Sequence, residues 1–258
     1  MRPHSALHAT FAPNGRNSLE FFTQISSVLA PLAAFRQNDC ATWGKIVMTA
    51  VNYRRHTLFT IGHSNLELQD FLSVLTSVGV QVLCDVRSRP GSSRFPQFDR
   101  APLQAGLASA KIGYEFLGET LGGRPSDRSV YRSDGRVDYE LRRKAQDFRA
   151  GIERILELLT TQKIALMCAE EDPLQCHRFL MICPSLLGHG VEPVHVRRGG
   201  VLESQREAED RLLSQHDLSA FTSDALFSSE RDSVLPDALR RQAEDFAFRG
   251  SPEISEDF

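Results

Sequence analysis

The chain has 258 residues with 41% hydrophobic and 24% charged side chains, and its formal net charge is -3 at pH 7. This composition is ordinary for a globular protein and excludes a disordered or fibrous chain. The net charge gives no general attraction to an anionic membrane or to nucleic acid, so nucleic acid stays possible only through a local basic patch.

Residues 1–55 form a first compositional zone, in which Pro, Asn, Ser and His are scattered without a sustained period. We interpret this zone as a poorly ordered N-terminal extension. Met48 stands just before the first clear strand, and we expect it to be the true start, with residues 1–47 arising from an over-long gene model. The alternative is a short helix over Ser18–Leu29 that packs on the domain.

Strands and helices alternate from Thr57 onwards. The strand Thr57–Ile61 is followed by a helix with Ser64 or Asn65 as its N-cap and Gly79 beyond its end. The next predicted elements are a strand over Val80–Val86, a helix over Ala101–Ala110 and a strand over Tyr114–Leu117.

Gly118–Val137 is rich in Gly, Arg and Ser, which predicts a long surface loop of the kind that often binds ligands. The elements predicted after it are a long helix over Tyr139–Thr161, a strand over Lys163–Met167, a helix over Arg178–Leu187 and a strand over Glu192–Val196. This alternation predicts right-handed βαβ units and a mostly parallel sheet. We therefore expect residues 56–200 to form one α/β domain.

Residues 201–258 form a C-terminal appendage. Charged helical patterns cover Glu203–Ser214 and Pro236–Arg249, with a Ser-rich connection between them. We expect these helices to pack in part on the domain and the chain to end in an acidic disordered tail.

The cysteines and the apolar segments bear on the compartment. Five cysteines, an odd number without framework spacing, are typical of free thiols in a reducing environment. No apolar run reaches bilayer length, and Phe21–Phe35 is interrupted by Pro31 and lacks a convincing cleavage site. The sequence therefore predicts a cytoplasmic protein with no membrane partner.

Polar residues follow three of the predicted strands and open one helix. Ligands of open parallel sheets bind outside the carboxyl ends of the strands, so residues far apart in the sequence can meet there. These residues are His63 and Ser64 after the first strand, Asp85 and Arg87 after the second, Cys168 and Glu170 after the fourth, and Cys176, His177 and Arg178 at the helix start.

Cys176, His177 and Arg178 begin a predicted helix, and the free amides of a helix N-terminus bind anions and lower the pKa of a nearby thiol. Cys176 or Cys168 could therefore be a nucleophilic thiolate, with His177 beside it. Cys168 could equally be a small core residue, as we expect for Cys84 and Cys183.

Acid–base chemistry and substrate binding are assigned to the remaining polar residues. Asp85 and Glu170 are candidate acids or bases, and Arg178 and Arg87 are candidate clamps for a phosphate or carboxylate. Arg124, in Leu121-Gly-Gly-Arg124, is a further candidate for substrate binding on a flexible backbone.

His63 and Ser64 are open to two interpretations, a base with a hydroxyl that contacts substrate or a hydrogen-bonded histidine next to a helix cap. Arg87, Arg89 and Arg94 next to Pro90 could form an anion-binding loop or a solvated one. The aromatic residues show no stripe of the kind that stacks on single-stranded nucleic acid.

A zinc site is the alternative reading of the same cluster. Cys168, Cys176, His63 and His177 have the side chains of zinc ligands. Adjacent Cys176 and His177 would point differently from a helix start, which makes joint ligation of one ion awkward. The sequence contains no CxxC pair or HExxH motif, so we expect no cofactor, with zinc as the alternative.

The segments that carry these residues resemble a known family. Gly62-His-Ser-Asn65, Asp85-Val-Arg-Ser88, Leu121-Gly-Gly-Arg124 and the pair Cys168-Ala-Glu170 and Cys176-His-Arg178 are similar in order and spacing to the bacterial domain of unknown function 488. The resemblance covers roughly residues 57–200, and Ala238–Arg249 resembles the terminal helix of the family. It implies a Rossmann-like three-layer α/β fold and supplies no established reaction.

Two function classes follow. The first is an enzyme, a hydrolase or transferase, that acts on a small anionic molecule or nucleotide; release of a base from a nucleoside or nucleic acid is a subclass that needs no thiolate. The second is a non-catalytic module that binds a metal or senses thiol oxidation. The strand–Cys–helix segment is also loosely similar to rhodanese and phosphatase loops, although Cys168 to Arg178 is longer than such a loop.

Overall fold

The computed structural model describes residues 57–218 and 228–250, which lie within one compact unit, Ile46–Phe258. The predictions for residues 1–55, including Met48 as the start and a helix over Ser18–Leu29, fall outside the described residues. The predicted acidic tail beyond residue 250 also falls outside them.

Short apolar segments of the described chain pair into one six-stranded sheet. Its strands are β1 (Leu58–Gly62), β2 (Val82–Asp85), β3 (Gly113–Phe116), β4 (Ile164–Cys168), β5 (Pro193–Val196) and β6 (Leu202–Ser204). The spatial order is β3–β2–β4–β1–β5–β6, and every neighbouring pair is parallel except β5 and β6, which pair antiparallel. The predicted α/β fold with a mostly parallel sheet is confirmed.

Helices cover both faces of this sheet. They are α1 (Leu68–Ser77), α2 (Arg100–Ser109), α3 (Gly118–Leu121), α4 (Tyr139–Lys144), α5 (Gln146–Leu159), α6 (Cys183–Leu187), α7 (Gln205–Gln215) and α8 (Ser228–Phe246). A π-helical turn, Arg178–Ile182, precedes α6. No described helix is long and apolar enough to cross a membrane.

The central strand β4 shows why the fold has three layers. All of its residues are buried, which is typical of a parallel strand covered on both faces. Because side chains alternate across a strand, Ile164 and Leu166 enter the core shared with α5 and α7, whereas Ala165 and Met167 enter the core shared with α1 and α2. The Rossmann-like three-layer arrangement is confirmed.

The predicted cap of the first helix is wrong. The N-cap of α1 is Glu67, which makes no side-chain capping bond. The residues before it continue the sheet instead, because the backbone amides of His63 and Ser64 donate to the carbonyls of Cys168 and Ala169 at 3.0 and 2.9 Å. Ser64 then turns the chain at a positive φ of 44°, so the helix begins later than its sequence signal suggests.

The segment Gly118–Val137, predicted as a long surface loop, is irregular over most of its length and exposed at several positions, but parts of it are ordered into short elements. It contains α3 and a 3₁₀ turn over Arg128–Val130, and Tyr131 forms an antiparallel bridge with Val137. Its apolar residues Leu121 and Val130 are buried. Because these two side chains are buried, the segment packs against the domain in a defined conformation.

Two helical predictions also needed revision. The helix predicted over Tyr139–Thr161 is broken at Ala145, which has an extended backbone with ψ of 143° between α4 and α5. The buried Arg142 holds this break, since its Nη1 donates to Asp147 at 2.6 Å and its Nη2 to the Thr120 carbonyl at 2.6 Å. Pro236 lies inside α8 and does not start it, and the antiparallel edge strand β6 was not predicted.

Candidate functional site

The carboxyl ends of β2, β4 and β1 lie side by side in the sheet. Gly62 is the partner of Cys168, and Asp85 is the partner of Met167, so the polar residues after these strands are close together. A side chain at position 62 has no room, because a Cβ there would lie 1.7 Å from the Glu170 carbonyl oxygen. Glycine therefore lets the loop after β4 fold directly over the end of β1.

A cavity of about 420 Å³ opens at this edge. The predicted site residues that line it are His63, Arg87, Arg124, Cys168, Glu170 and His177. The structure does not place the other four in the lining: Asp85, Cys176 and Arg178 are buried beneath it, and Ser64 lines a neighbouring cavity.

Cys168, Glu170 and His177 meet at the floor of this cavity. The Cys168 Sγ lies 2.8 Å from Glu170 Oε2 and 3.7 Å from His177 Nδ1. The Cys176 Sγ lies 3.8 Å from the same ring nitrogen. A sulfur and a carboxylate oxygen at 2.8 Å must share a proton, because two anions at that distance repel each other.

The tautomer of His177 follows from its second ring nitrogen. His177 Nε2 lies 3.0 Å from the Val86 carbonyl oxygen, and since a carbonyl only accepts, Nε2 carries a proton. Nδ1 therefore faces the thiols of Cys168 and Cys176 and can take a proton from either. This is the geometry of a general base held beside a thiol nucleophile.

The two thiols of the cluster differ in acidity. A hydrogen bond from the Cys176 thiol, with the charge of His177, holds the pKa of Cys168 well below its usual range in spite of burial. Burial raises the pKa of Cys176 well above its usual range. Burial also opposes protonation of His177, but the adjacent Cys168 outweighs it and raises that pKa. The arrangement favours a Cys168 thiolate beside an imidazolium.

Glu170 is exposed at the rim of the cavity floor. Partial removal from water, together with the charge of Cys168, raises the pKa of the Glu170 carboxyl. A carboxyl group with a raised pKa can hold a proton for a leaving group, which is the property of a general acid.

Arg178 lies beneath the loop that carries Glu170. It is 1% exposed, and its Nη2 donates to the carbonyls of Glu170 and Glu171 at 2.7 Å each. Its Nε and Nη1 have no hydrogen-bond partner among the described residues. Arg178 lowers the pKa of Cys176, but burial outweighs this effect.

Asp85 is fully occupied by hydrogen-bond donors. Its Oδ1 accepts from Arg87 Nε at 2.9 Å and from the Arg87 amide at 3.1 Å, and its Oδ2 accepts from Arg87 Nη2 at 2.7 Å and from Tyr114 at 3.0 Å. This bidentate pair fixes the guanidinium of Arg87 at the cavity wall. The contacts of Asp85 are those of a positioning residue.

His63 is neutral in this environment. Burial lowers its pKa to about 4, and its ring stacks on Phe98 with centroids 4.3 Å apart. Its Nδ1 donates to the Ser64 carbonyl at 2.9 Å, so the lone pair of Nε2 faces Arg87 Nη1 at 3.4 Å. The ring thus presents a polar edge to the cavity without adding charge.

The aromatic wall of the cavity was not predicted. Tyr139, Phe246 and Phe248 line it from α4 and from the end of the described chain. Phe248 is held by its carbonyl, which accepts from the Val137 amide at 3.0 Å, and Arg124 stacks on its ring at 4.6 Å. Isolated aromatic residues carry no sequence signal, and only the family resemblance of Ala238–Arg249 pointed to this segment.

The same cluster has the donor set of a metal site. One ligand atom each from Cys168, Glu170, Cys176 and His177 lies within 4.8 Å of the others. Cys176 and His177 converge although they are adjacent, because Cys176 has an extended backbone (φ -132°, ψ 140°) and is not yet part of a helix. The expectation that they would diverge is wrong. His63, a predicted zinc ligand, is absent from this group among the described residues. The bond from His177 Nε2 to a carbonyl is typical of a metal-bound histidine.

Comparison with known proteins gives one family. Residues 67–182 match the family model described as "Domain of unknown function DUF488". No curated protein and no solved structure matches the chain. The matched residues run from the position before α1 to the end of the π turn and include the whole Cys168 cluster.

Proposed function

We propose that this chain, which belongs to the DUF488 family through residues 67–182, is an enzyme. From the site on this domain we infer a hydrolase or transferase that acts on a phosphate-bearing substrate of the nucleotide class. One observation carries the proposal. A cavity walled by Arg87, Arg89 and Arg124 has a Cys–His–Glu floor. Anion binding and a nucleophile therefore meet in one place.

The aromatic wall supports a nucleotide over a small anion. Tyr139, Phe246 and Phe248 line the same cavity as the polar floor, and aromatic rings stack on nucleobases. The volume of about 420 Å³ is within the usual range of small-molecule sites, roughly 300 to 1,000 Å³. A ligand that carries both a flat ring and a phosphate matches this mixed lining of aromatic rings and guanidinium groups.

The proposed reaction has two steps. The Cys168 thiolate attacks the electrophilic atom of the substrate, forming a bond to sulfur while the bond to the leaving oxygen breaks, and Glu170 gives its proton to that oxygen. Water then attacks the same atom, its proton passes to the Glu170 carboxylate, and the bond to sulfur breaks. The sum is addition of one water across the cleaved bond, and in a transferase an alcohol replaces the water.

Glu170→Gln tests this assignment. Nucleoside mono- and diphosphates are screened for phosphate release and for base release with the wild-type protein, and turnover of any substrate found is expected to fall about 10²- to 10⁴-fold in the variant. Glu153→Gln, an exposed position on α5, is the matched control and keeps full turnover. Equal turnover of Glu170→Gln and the wild type contradicts the role, as does a Glu170→Gln protein that fails to unfold cooperatively.

A metal-binding module is the second candidate, because four ligating atoms of the right types converge within 4.8 Å. In that case Cys168, Cys176 and His177 hold zinc, and Glu170 completes the shell or leaves a position for water. Metal content is measured on protein purified without chelator or metal-affinity steps. The thiolate enzyme predicts metal-free wild type, whereas stoichiometric zinc that is lost in Cys176→Ser makes Cys176 a ligand and replaces the nucleophile assignment.

A further inference from the structure

Two more cavities adjoin the central one along the carboxyl edge of the sheet. One, of about 870 Å³, shares His63, Ser92, Ala169 and Glu170 with the central cavity. The other, of about 510 Å³, shares Ser88, Arg89, Arg124 and Phe248 with it. The three therefore form one continuous depression with the Cys168 floor at its middle.

Arginine is the dominant charge of this depression. The arginine trough is defined here by Arg87, Arg89, Arg94, Arg124, Arg128 and Arg198. All except Arg87 are exposed, and the acidic residues that line the same cavities are Glu170 and Glu171. A positive trough on a chain with a net charge of -3 is a local feature that the overall charge conceals.

Several arginines of the trough lack a carboxylate partner among the described residues, whereas Arg87 pairs with Asp85. Arg154, Arg197 and Arg211, elsewhere on the surface, pair with carboxylates at 2.6 to 3.0 Å. Arg89, Arg94 and Arg124 form no such pair with a described carboxylate. These exposed guanidinium groups are available to an anion that lies along the trough.

Three arginines of the trough each lie beside an aromatic ring. Arg94 lies 5.9 Å from the Phe95 ring, Arg124 lies 4.6 Å from Phe248, and Arg128 lies 5.1 Å from Tyr131. Arginine planes and aromatic rings both stack on unpaired bases, and a positive groove follows the phosphates. Neighbouring residues thus supply both contacts that a nucleotide needs, at three places along the trough.

From this geometry we infer that the trough binds a single strand of nucleic acid across the Cys168 floor. The inference rests on the proposed function and narrows its substrate from a nucleotide to one nucleotide within a strand. The flanking cavities hold the neighbouring nucleotides, and the central cavity receives the unit on which the chemistry acts. A duplex presents no unpaired base to the central cavity and is a poorer ligand.

Binding of an end-labelled single strand of roughly ten nucleotides to the full-length chain, followed by fluorescence anisotropy, tests the inference. We expect the single strand to bind more tightly than the matching duplex and to lose affinity as salt rises. The variant Arg94→Ala/Arg124→Ala is expected to bind at least about tenfold more weakly. The matched control Arg149→Ala/Arg206→Ala removes two exposed arginines outside the trough and keeps wild-type affinity.

The outcomes separate this inference from the proposed function. Equal affinity for duplex and single strand, or equal weakening in both double variants, overturns the trough as a specific site. If the protein turns over free nucleotides but does not bind the strand, the inferred strand-binding site is contradicted and the proposed enzymatic function is retained. If the protein binds the strand but turns over no substrate, the trough is supported as a binding site and the proposed enzymatic function is contradicted.

Discussion

Replacing Cys168 with serine is expected to lower turnover of a phosphate-bearing substrate at least about a thousandfold, whereas Cys176→Ser retains turnover within about tenfold. Cys168 lines the cavity and Cys176 does not. The hydrogen bond from Cys176 lowers the pKa of Cys168, and a serine hydroxyl can still donate that bond. The two substitutions therefore separate a nucleophile from the group that supports it.

Alkylation gives a readout that does not require a known substrate. Iodoacetamide at neutral pH, followed by peptide mapping, is expected to label Cys168 before Cys84, Cys176 or Cys183, because the latter three are fully buried and burial raises the pKa of each thiol. Inorganic phosphate should slow this labelling if it occupies the arginine wall. If Cys168→Ser and Cys176→Ser inactivate the protein equally and Cys168 is not labelled, the assignment of Cys168 as the nucleophile is contradicted. That result favours an assignment of both cysteines as metal ligands.

The position of the site could be predicted from the sequence, and the reason is topological. Parallel strands have their carboxyl ends at one edge, so the polar residues after β1, β2 and β4 had to converge. His63, Arg87 and Cys168 do line one cavity. No knowledge of the side-chain packing was needed for this part of the prediction.

The orientation of each polar side chain could not be predicted. Arg178 follows His177 directly, yet His177 reaches the cavity and Arg178 is buried against the carbonyls of Glu170 and Glu171. Adjacent residues at the start of a helix point in different directions, and Arg178 is the first residue of the π turn Arg178–Ile182. A sequence pattern gives residue types and spacing, whereas the choice between ligand contact and loop support is made by tertiary packing.

The aromatic wall was missed for a related reason, although Arg87, Arg89, Arg94 and Arg124 were predicted from the sequence as candidates for anion or substrate binding. Phe95, Tyr131 and Phe248 are far apart in the sequence, and each is paired with an arginine that is close to it in the structure. A stacking stripe is visible in a sequence only when its members share one strand or helix. Here the members come from separate loops, so the sequence shows no stripe.

Asp85→Asn is expected to lower the free energy of unfolding by about 3 kcal/mol, because it leaves a buried guanidinium without its counter-ion. The side chains of Asp85 and Arg87 are 0% and 5% exposed. An asparagine of the same shape would place an amide NH₂ group against one of the Arg87 nitrogens, where two donors oppose each other. Urea unfolding followed by circular dichroism measures the loss.

The matched control is an ion pair of the same types at the surface. Arg154 and Glu115 are 45% and 26% exposed, so Glu115→Gln is expected to cost only about 0 to 1 kcal/mol. Asp85→Leu combined with Arg87→Met removes both charges and should recover most of the stability lost in Asp85→Asn, but not turnover, since Arg87 lines the cavity. An Asp85→Asn protein of wild-type stability that has lost turnover would show instead that Asp85 acts on the substrate as an acid or base, as the sequence had suggested. The stability of the single variant therefore distinguishes a carboxylate that positions Arg87 from one that takes part in the reaction.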